Sequence, residues 1–296
     1  MTDNNRPICL VINLDRATDR WNYMLHHSQS RGLDVRRIKA ADGTQIDNAA
    51  SKAIFRKIPG RRQLSANEIA CFESHKLAWR ELVMSDYDYA FVLEDDVFLA
   101  HDVATIIKLA VDALPDFSLI KFNNYARPVY LHTKPSAVVL GRKVLRLGQK
   151  TIDGSSYLIS KRFATTALIR FASFTEELDL ALFDPEIDAD IFQINPAASV
   201  QQKFASFSFL PSAHAESSLE ESRQKSQVSA KTGSSRRSVA SRVVSELRRF
   251  YVRRLWPIIV ELTNPFRFAE HRIRRMNVDF TDTTDADHAG GDFGKP

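Results

Sequence analysis

The segment Tyr89-Ala-Phe-Val-Leu-Glu-Asp-Asp-Val-Phe-Leu99 places three consecutive acids, Glu94, Asp95 and Asp96, inside an otherwise apolar run. Such a run predicts a buried strand, and burial of unpaired carboxylates costs several kcal/mol. Because side chains alternate along a strand, we expect Glu94 and Asp96 on one side and Asp95 on the other. This predicts oxygen ligands for Mg²⁺ or Mn²⁺, bound together with substrate phosphates. The alternative is a surface turn with hydrated acids.

The rest of the chain alternates strand-like and helix-like segments. Strands are predicted at residues 8–14, 35–40, 118–122 and 157–160, a hairpin at 138–147, and helices at 18–31, 65–84, 102–114 and 161–171. Thr18 and Asp102 are expected to cap their helices, and Ser65 with Glu68 forms a capping box. This alternation predicts an α/β sandwich that binds ligands at the carboxyl ends of its strands, where the acids lie.

Composition is that of a globular protein. The 296 residues are 44% hydrophobic, which is enough for one large core. No apolar stretch approaches the roughly 20 residues that span a bilayer, and residues 1–10 lack the apolar core of a signal peptide, so we expect a cytoplasmic protein. Cys9 and Cys71 form neither a disulfide framework nor a zinc site, and we expect both in the core.

Several motifs occur together in a fixed order. They are Val11-Ile-Asn-Leu-Asp-Arg16, Ala40-Ala-Asp-Gly43, residues 64–79 with Ser74-His75 and Trp79, the acids 94–96, and Asp153-Gly-Ser-Ser-Tyr-Leu-Ile-Ser160. In order and spacing, residues 7–218 resemble the bacterial family 25 glycosyltransferases, which include galactosyl- and glucosyltransferases of lipooligosaccharide assembly. The resemblance implies a GT-A-like nucleotide-sugar-binding sandwich, a UDP-sugar donor, inverting transfer, and a metal-binding Asp-x-Asp-like element matched by residues 94–96.

Residues for donor binding follow from the resemblance and from side-chain chemistry. The chain has no G-x-G-x-x-G and no Walker sequence, so the diphosphate needs other partners, and the planar fork of arginine suits it. The predicted donor-binding residues are Asn13, Asp15, Arg16, Asp42, His75, Glu94 and Asp95. The alternatives are a hydrated turn at residues 13–16 and a structural role for His75, which the helical pattern alone favours.

The metal and the acceptor require further groups. Asp96 is the first predicted metal ligand, with Glu94 acting through water or holding the ribose. His214, in Pro211-Ser-Ala-His214, completes the metal shell or contacts the diphosphate, unless it is an ordinary surface histidine. Inverting transfer needs a carboxylate base for the acceptor hydroxyl, and Asp179 and Asp153 are the candidates. Each has a structural alternative, a helix cap for Asp179 and a turn residue for Asp153.

The carboxyl-terminal part differs in composition. Fourteen basic and four acidic residues lie between positions 221 and 275, within a chain of net charge +5. We predict a catalytic domain at 1–218, a flexible Ser-rich basic linker at 219–242, a basic amphipathic helical segment at 243–276 and an acidic disordered tail at 277–296. Such a helix suits an anionic membrane. It would dock the enzyme peripherally on the inner face of the bacterial inner membrane, near a lipid-linked acceptor, unless it packs on the core.

Two other functions compete with sugar transfer. A nucleotidyltransferase or a sugar-nucleotide-binding protein would use the same nucleotide and metal site. A nucleic-acid-binding protein would use the basic carboxyl-terminal part, but no base-stacking motif accompanies its arginines, so no nucleic acid partner is expected.

Overall fold

The computed structural model describes residues 6–46, 63–123, 127–205, 207 and 272–282. These build a large mixed sheet with helices on both faces and a small two-stranded sheet. The strands are β1 Ile8–Asn13, β2 Val35–Lys39, β3 Tyr89–Glu94, β4 Val97–Leu99, β5 Leu119–Lys121, β6 Val129–Val139, β7 Arg142–Leu147, β8 Ser156–Ser160, β9 Ile191–Asn195, β10 Ser199–Gln201 and β11 Ile273–Met276. Nine of them form a sheet in the order β11-β6-β7-β9-β5-β8-β3-β1-β2, while β10 pairs with β4.

The helices cover the sheet as the alternating pattern predicts. They are α1 Thr18–Ser30, α2 Ala66–Met84, α3 Val103–Ala113, α4 Lys161–Arg170 and α5 Leu178–Leu182, with 3-10 turns at Gly43–Gln45, Pro185–Ile187 and Gln202–Phe204. Side chains of β1 alternate between two apolar clusters. Leu10 packs with Phe72 and Trp79 of α2, whereas Val11 packs with Met24 of α1 and with α3. The predicted α/β sandwich is therefore confirmed.

Helix capping follows the sequence at one of the three predicted positions. Ser65 and Glu68 form the predicted capping box at the start of α2. Thr18 is the first residue of α1 and not its cap, and the Asp102 side chain makes no capping hydrogen bond. The Asp102 carboxylate instead accepts a hydrogen bond from Arg142 at 3.3 Å, because a buried guanidinium competes for it.

The sheet register brings the amino-terminal turn beside the acids. β1 lies between β2 and β3 and is parallel to both, with Ile12 opposite Glu94. The carboxyl ends of β1 and β3 therefore meet at one edge of the sheet, where ligands of such sheets bind.

The carboxyl-terminal segment departs from prediction. Residues 273–276, expected to end a helical segment, form β11 antiparallel to β6, because the edge of β6 has backbone groups that need partners. Residues 277–282, expected to begin a disordered tail, pack on the sheet: Val278 is buried, and Arg142 donates to the Thr281 carbonyl at 2.8 Å. The predicted linker, the rest of the helical segment and the rest of the tail lie outside the described residues.

Within the described ranges, no helix combines the length and apolar character that crossing a bilayer requires.

Candidate active site

A pocket lies at the carboxyl ends of β1 and β3, with the amino-terminal half of α2 as its wall. It is lined by Ile12, Leu14, Arg16, Arg20, Ala40, Ala41, Gly43, Asn67, Ala70, Cys71, Ser74, His75, Glu94, Asp95 and Asp96. All three predicted acids therefore open onto one cavity. Cys71, expected in the core, is half-buried: it packs against the core and also lines this cavity, one helical turn before His75.

Asp95 and Asp96 form a turn between β3 and β4, whereas the sequence predicted that they continue the strand. Their side chains nevertheless separate in the predicted way. Gln201, at the end of β10, donates from Nε2 to Glu94 Oε2 at 2.7 Å and to Asp96 Oδ1 at 3.1 Å. Glu94 and Asp96 therefore converge on the same side. Asp95 points away from them and forms an ion pair with Arg20 at 3.0 Å.

Asn13 is a buried residue that binds the Asp95 carboxylate. Its Nδ2 donates to Asp95 Oδ2 at 2.6 Å and to the Ala17 carbonyl, while its Oδ1 accepts from Arg37 Nε at 2.8 Å. Asn13 is 1% exposed and does not line the pocket. The geometry therefore gives Asn13 a supporting position beneath the site, and direct donor binding by it stays a prediction.

Burial disfavours the ionised forms of the three acids. Desolvation raises the pKa of Glu94 to about 7 and the pKa values of Asp95 and Asp96 to about 6, against partial relief from Lys203 and Arg20. Clustered carboxylates with raised pKa values bind a cation favourably, since the cation removes their mutual repulsion. The oxygen-rich pair Glu94 and Asp96 therefore fits a hard divalent cation.

The predicted donor-binding residues of the amino-terminal turn occupy different positions. Arg16 lines the pocket and forms an ion pair with Asp42, which also accepts from the Thr44 amide and so caps a 3-10 turn. Asp15 is absent from the lining and pairs with Lys39 at 2.5 Å. Donor binding by Asp15 stays a prediction that this geometry does not favour.

His75 forms the inner wall and is 1% exposed. Its Nδ1 lies 2.8 Å from the Tyr157 hydroxyl, which accepts a hydrogen bond from Trp79 Nε1 at 2.9 Å. Burial lowers the pKa of His75 to about 3, so the ring is neutral near pH 7. The 3.7 Å approach of its Nε2 to Glu94 Oε1 is therefore not an ion pair.

The two candidate bases lie side by side. Asp179 Oδ2 accepts from the Asp153 amide at 3.0 Å, and Asp179 Oδ1 accepts from the Leu180 amide at 2.9 Å. Asp153 is 7% exposed, and its Oδ2 has no hydrogen-bond partner among the described residues. Both carboxylates lie close enough to Glu94 for their charges to raise its pKa. The structure therefore brings both candidates near Glu94, although neither carboxylate lines the pocket.

Lys121 is a core residue that contacts the loop carrying Asp153. It is fully buried, donates to the Ile152 carbonyl at 2.7 Å and lies 4.5 Å above the Phe183 ring. Burial lowers the pKa of Lys121 to about 8, while the charges of Asp153 and Asp179 act in the opposite direction. Asp153 itself has a left-handed φ of 77°. A strained residue next to a buried lysine is typical of a functional loop.

Comparison with known proteins assigns the family. Residues 7–182 match the model of glycosyltransferase family 25 (LPS biosynthesis protein). The chain belongs to this family. The chain is similar to the lacto-N-neotetraose biosynthesis glycosyltransferase LgtB of Neisseria meningitidis, with 27% identity over 212 residues that cover 65% of this chain and 74% of LgtB.

Other relatives share a shorter region with this family 25 member. A glycosyltransferase 25 family member of Anopheles gambiae is 37% identical over 94 residues, which are 29% of this chain and 16% of that protein. Human procollagen galactosyltransferase 2 is 33% identical over 98 residues, 31% of this chain and 16% of its own. Among solved structures, a glycosyltransferase involved in glycosylation of the PBCV-1 major capsid has a TM-score of 0.39 and 11% identity over 68% of this chain and 95% of that one.

Three residues close to this candidate site were missed by sequence reasoning. Gln201 contacts Glu94 and Asp96, and Lys203 lies close enough for its charge to lower their pKa values. Both positions follow from the pairing of β10 with β4, which directly follows the acids, and no local signal indicates that long-range pairing. Lys121 had a signal, since a lysine inside the apolar stretch 118–122 indicates a buried charge. The predicted ligand His214 lies outside the described residues.

Gly154, in the motif Asp153-Gly-Ser-Ser-Tyr-Leu-Ile-Ser160, lies against side chains of Phe183 and Leu178. A Cβ built on it would lie 3.5 Å from the Phe183 ring and 3.6 Å from Leu178, so this position faces side chains and not open space.

Gly43 lines the pocket together with Asn67, and we expect that no larger residue fits at this position. A Cβ built on Gly43 would lie 2.9 Å from Asn67 Cα and closer still to its Oδ1, so the first turn of α2 would have to shift. We expect Gly43→Ala to lower the free energy of unfolding by about 2 kcal/mol in urea denaturation, the usual cost of overpacking. Gly154→Ala, whose Cβ meets only ordinary contacts, is the control. Equal stability of the two variants would contradict this prediction.

Proposed function

We propose that this family 25 glycosyltransferase moves a hexose from a UDP-sugar to a saccharide acceptor of lipooligosaccharide or another surface glycan, in a metal-dependent, inverting reaction. The observation that carries the proposal is the convergence of Glu94 and Asp96 on one Gln201 amide, with Arg16 on the same pocket. The two carboxylates can bind a divalent cation, and the arginine can bind a diphosphate. A metal-bound sugar nucleotide presents both.

Glu94 and Asp96 would hold the cation, Mn²⁺ or Mg²⁺. When bound, it supplies Lewis-acid stabilisation of the departing diphosphate. Arg16 contributes a guanidinium to the diphosphate, at the cost of its exposed ion pair with Asp42. Asp95 is fixed by Asn13 and Arg20, so the strand end keeps its geometry while the donor binds.

We assign the base role to Asp153 ahead of Asp179. Both Asp179 oxygens accept backbone amides, whereas Asp153 Oδ2 is buried without a partner in the described part of the chain. Burial also raises the pKa of Asp153, which brings it nearer to the operating pH of a base. In an inverting displacement, Asp153 would take the proton of the acceptor hydroxyl as that oxygen attacks the anomeric carbon and UDP leaves.

The direct test is incubation with UDP-galactose, UDP-glucose or a UDP-N-acetylhexosamine, each with Mn²⁺ and a lipooligosaccharide acceptor. UDP-galactose is the first choice, because the relative from Homo sapiens is named a galactosyltransferase. We expect release of UDP that depends on Mn²⁺ and increases with acceptor. Absence of UDP release with every donor would contradict the proposal, and release of pyrophosphate from a nucleoside triphosphate would favour a nucleotidyltransferase.

A lipid-linked acceptor would place the enzyme peripherally at the inner membrane. The described carboxyl-terminal segment contributes exposed basic side chains, Arg272, Arg274 and Arg275, which suit an anionic surface. Flotation with anionic vesicles at low salt tests this. Failure to float would contradict membrane docking without affecting the assignment of sugar transfer.

A further inference from the structure

The His75 ring has one nitrogen whose partner is missing. Its Nε2 is buried, makes no hydrogen bond with any described residue, and lies 3.7 Å from Glu94 Oε1. Its other nitrogen, Nδ1, is 2.8 Å from the Tyr157 hydroxyl. A buried polar atom without a partner costs about 1–3 kcal/mol, so its orientation toward the site requires an explanation.

The neighbours of His75 determine where its proton lies. Trp79 Nε1 is a donor only, so the Tyr157 oxygen must accept its hydrogen bond. The Tyr157 hydrogen then has His75 Nδ1 as its acceptor, which leaves the ring proton on Nε2. The opposite tautomer would leave the buried Tyr157 hydrogen without an acceptor among the described residues, and it would direct the Nε2 lone pair at the Glu94 carboxylate.

We propose that Trp79 and Tyr157 hold His75 as its Nε2–H tautomer, and that His75 is a positioning residue that donates to Glu94 Oε1 when Glu94 binds the cation. The inference rests on the proposed function for the identity of the cation. Glu94 would then be held from two sides, by Gln201 at Oε2 and by His75 at Oε1. Outer-shell donors of this kind orient metal-binding carboxylates, and their loss typically weakens metal affinity 10- to 100-fold.

A Zn²⁺ ion bound directly to His75 would require the opposite tautomer. Ligand atoms of Cys71, His75 and Glu94 lie within 4.8 Å of one another, a set that would suit Zn²⁺. A metal on Nε2 needs its lone pair, and therefore the tautomer with the proton on Nδ1. The tautomer thus distinguishes a positioning residue from a ligand.

The first measurement is the tautomer of His75 in the metal-free protein, by ¹⁵N NMR with His75→Gln as the assignment reference. We expect protonated Nε2 and unprotonated Nδ1 at pH 7.5 in the wild type, and mixed tautomers in Tyr157→Phe, which lacks the hydroxyl hydrogen. A wild-type proton on Nδ1 would overturn the proposal, as would a thiolate charge-transfer band on addition of Co²⁺ that Cys71→Ser removes.

The second measurement is the Mn²⁺ dissociation constant, from the electron paramagnetic resonance of free Mn²⁺. We expect Tyr157→Phe and His75→Phe to weaken Mn²⁺ binding at least about 10-fold, and His75→Gln, which keeps a donor, to recover part of the loss. Tyr89→Phe is the matched control, because the Tyr89 hydroxyl donates to the Pro115 carbonyl outside the site. Unchanged affinity in the first two variants would overturn the proposal. If the wild type bound no Mn²⁺, the proposed metal dependence would fail, while the NMR result would still decide the tautomer.

Discussion

Asp96→Asn is expected to reduce glycosyl transfer at least about 1,000-fold while the protein stays folded. The substitution keeps a side-chain oxygen near the Gln201 amide but removes the charge that the cation needs. A Lewis acid on the departing diphosphate stabilises the transition state by several kcal/mol, and about 4 kcal/mol corresponds to this factor. The measurement is kcat/KM with UDP-sugar and saturating Mn²⁺.

The same variant should be more stable than the wild type without metal. Burial raises the pKa of Asp96 from 3.8 to about 6, so the folded state binds a proton more tightly than the unfolded state. Stability therefore falls as pH rises from about 4 to 6, and above pH 6 the ionised Asp96 costs about 3 kcal/mol. We expect Asp96→Asn to recover much of this in urea denaturation at pH 7.5, and Mn²⁺ to stabilise only the wild type.

Asp116→Asn is the control for Asp96, because it removes an exposed carboxylate remote from the pocket lining. It should change neither transfer nor metal-free stability. Wild-type turnover by Asp96→Asn in the presence of Mn²⁺ would contradict the metal assignment.

Asp153→Asn is expected to lower kcat by 10²- to 10⁴-fold, the usual contribution of a general base, with donor and Mn²⁺ affinity retained. The amide keeps an acceptor for the Ser155 N–H but cannot take a proton. Single-turnover transfer measures the loss, and isothermal calorimetry with UDP and Mn²⁺ measures binding.

Asp179→Asn is the matched comparison for Asp153. Its carboxylate accepts two backbone amides, and an amide side chain offers only one oxygen, so stability should fall by about 1–2 kcal/mol. The loss of kcat should be smaller than in Asp153→Asn. A larger loss in Asp179→Asn, with donor binding intact, would transfer the base role to Asp179.

Much of the site could be predicted because its signals are local. The acids 94–96 interrupt an apolar run, and the predicted separation of Asp95 from Glu94 and Asp96 is observed, although a turn between β3 and β4 produces it and not a continuous strand. The parallel pairing of β1 with β3 then places residues 13–16 beside them, as expected when carboxyl ends of strands meet. His75 was ambiguous, since a buried helical histidine is usually structural, and its direction toward Glu94 depends on the distant Tyr157.

The remainder depends on contacts that sequence spacing does not encode. Gln201 lies 105 positions from Asp96 and reaches it only through the pairing of β10 with β4. Asn13 has the chemistry of a ligand-binding residue, but its amide is fully used by Asp95, Ala17 and Arg37. The arginines of β11 follow a basic pattern that suggests a helix, whereas the open edge of β6 determines their conformation.

The return of the chain to β6 affects how the protein can be shortened. A version ending at residue 218 would keep the family motifs but lose β11 and the contacts of Val278 and Thr281. Its outermost strand would then present unsatisfied amides to other molecules, which invites self-association. Residues 272–282 therefore complete the same sheet that carries the family motifs, and expression of the shortened chain should yield aggregates where the 296-residue chain does not.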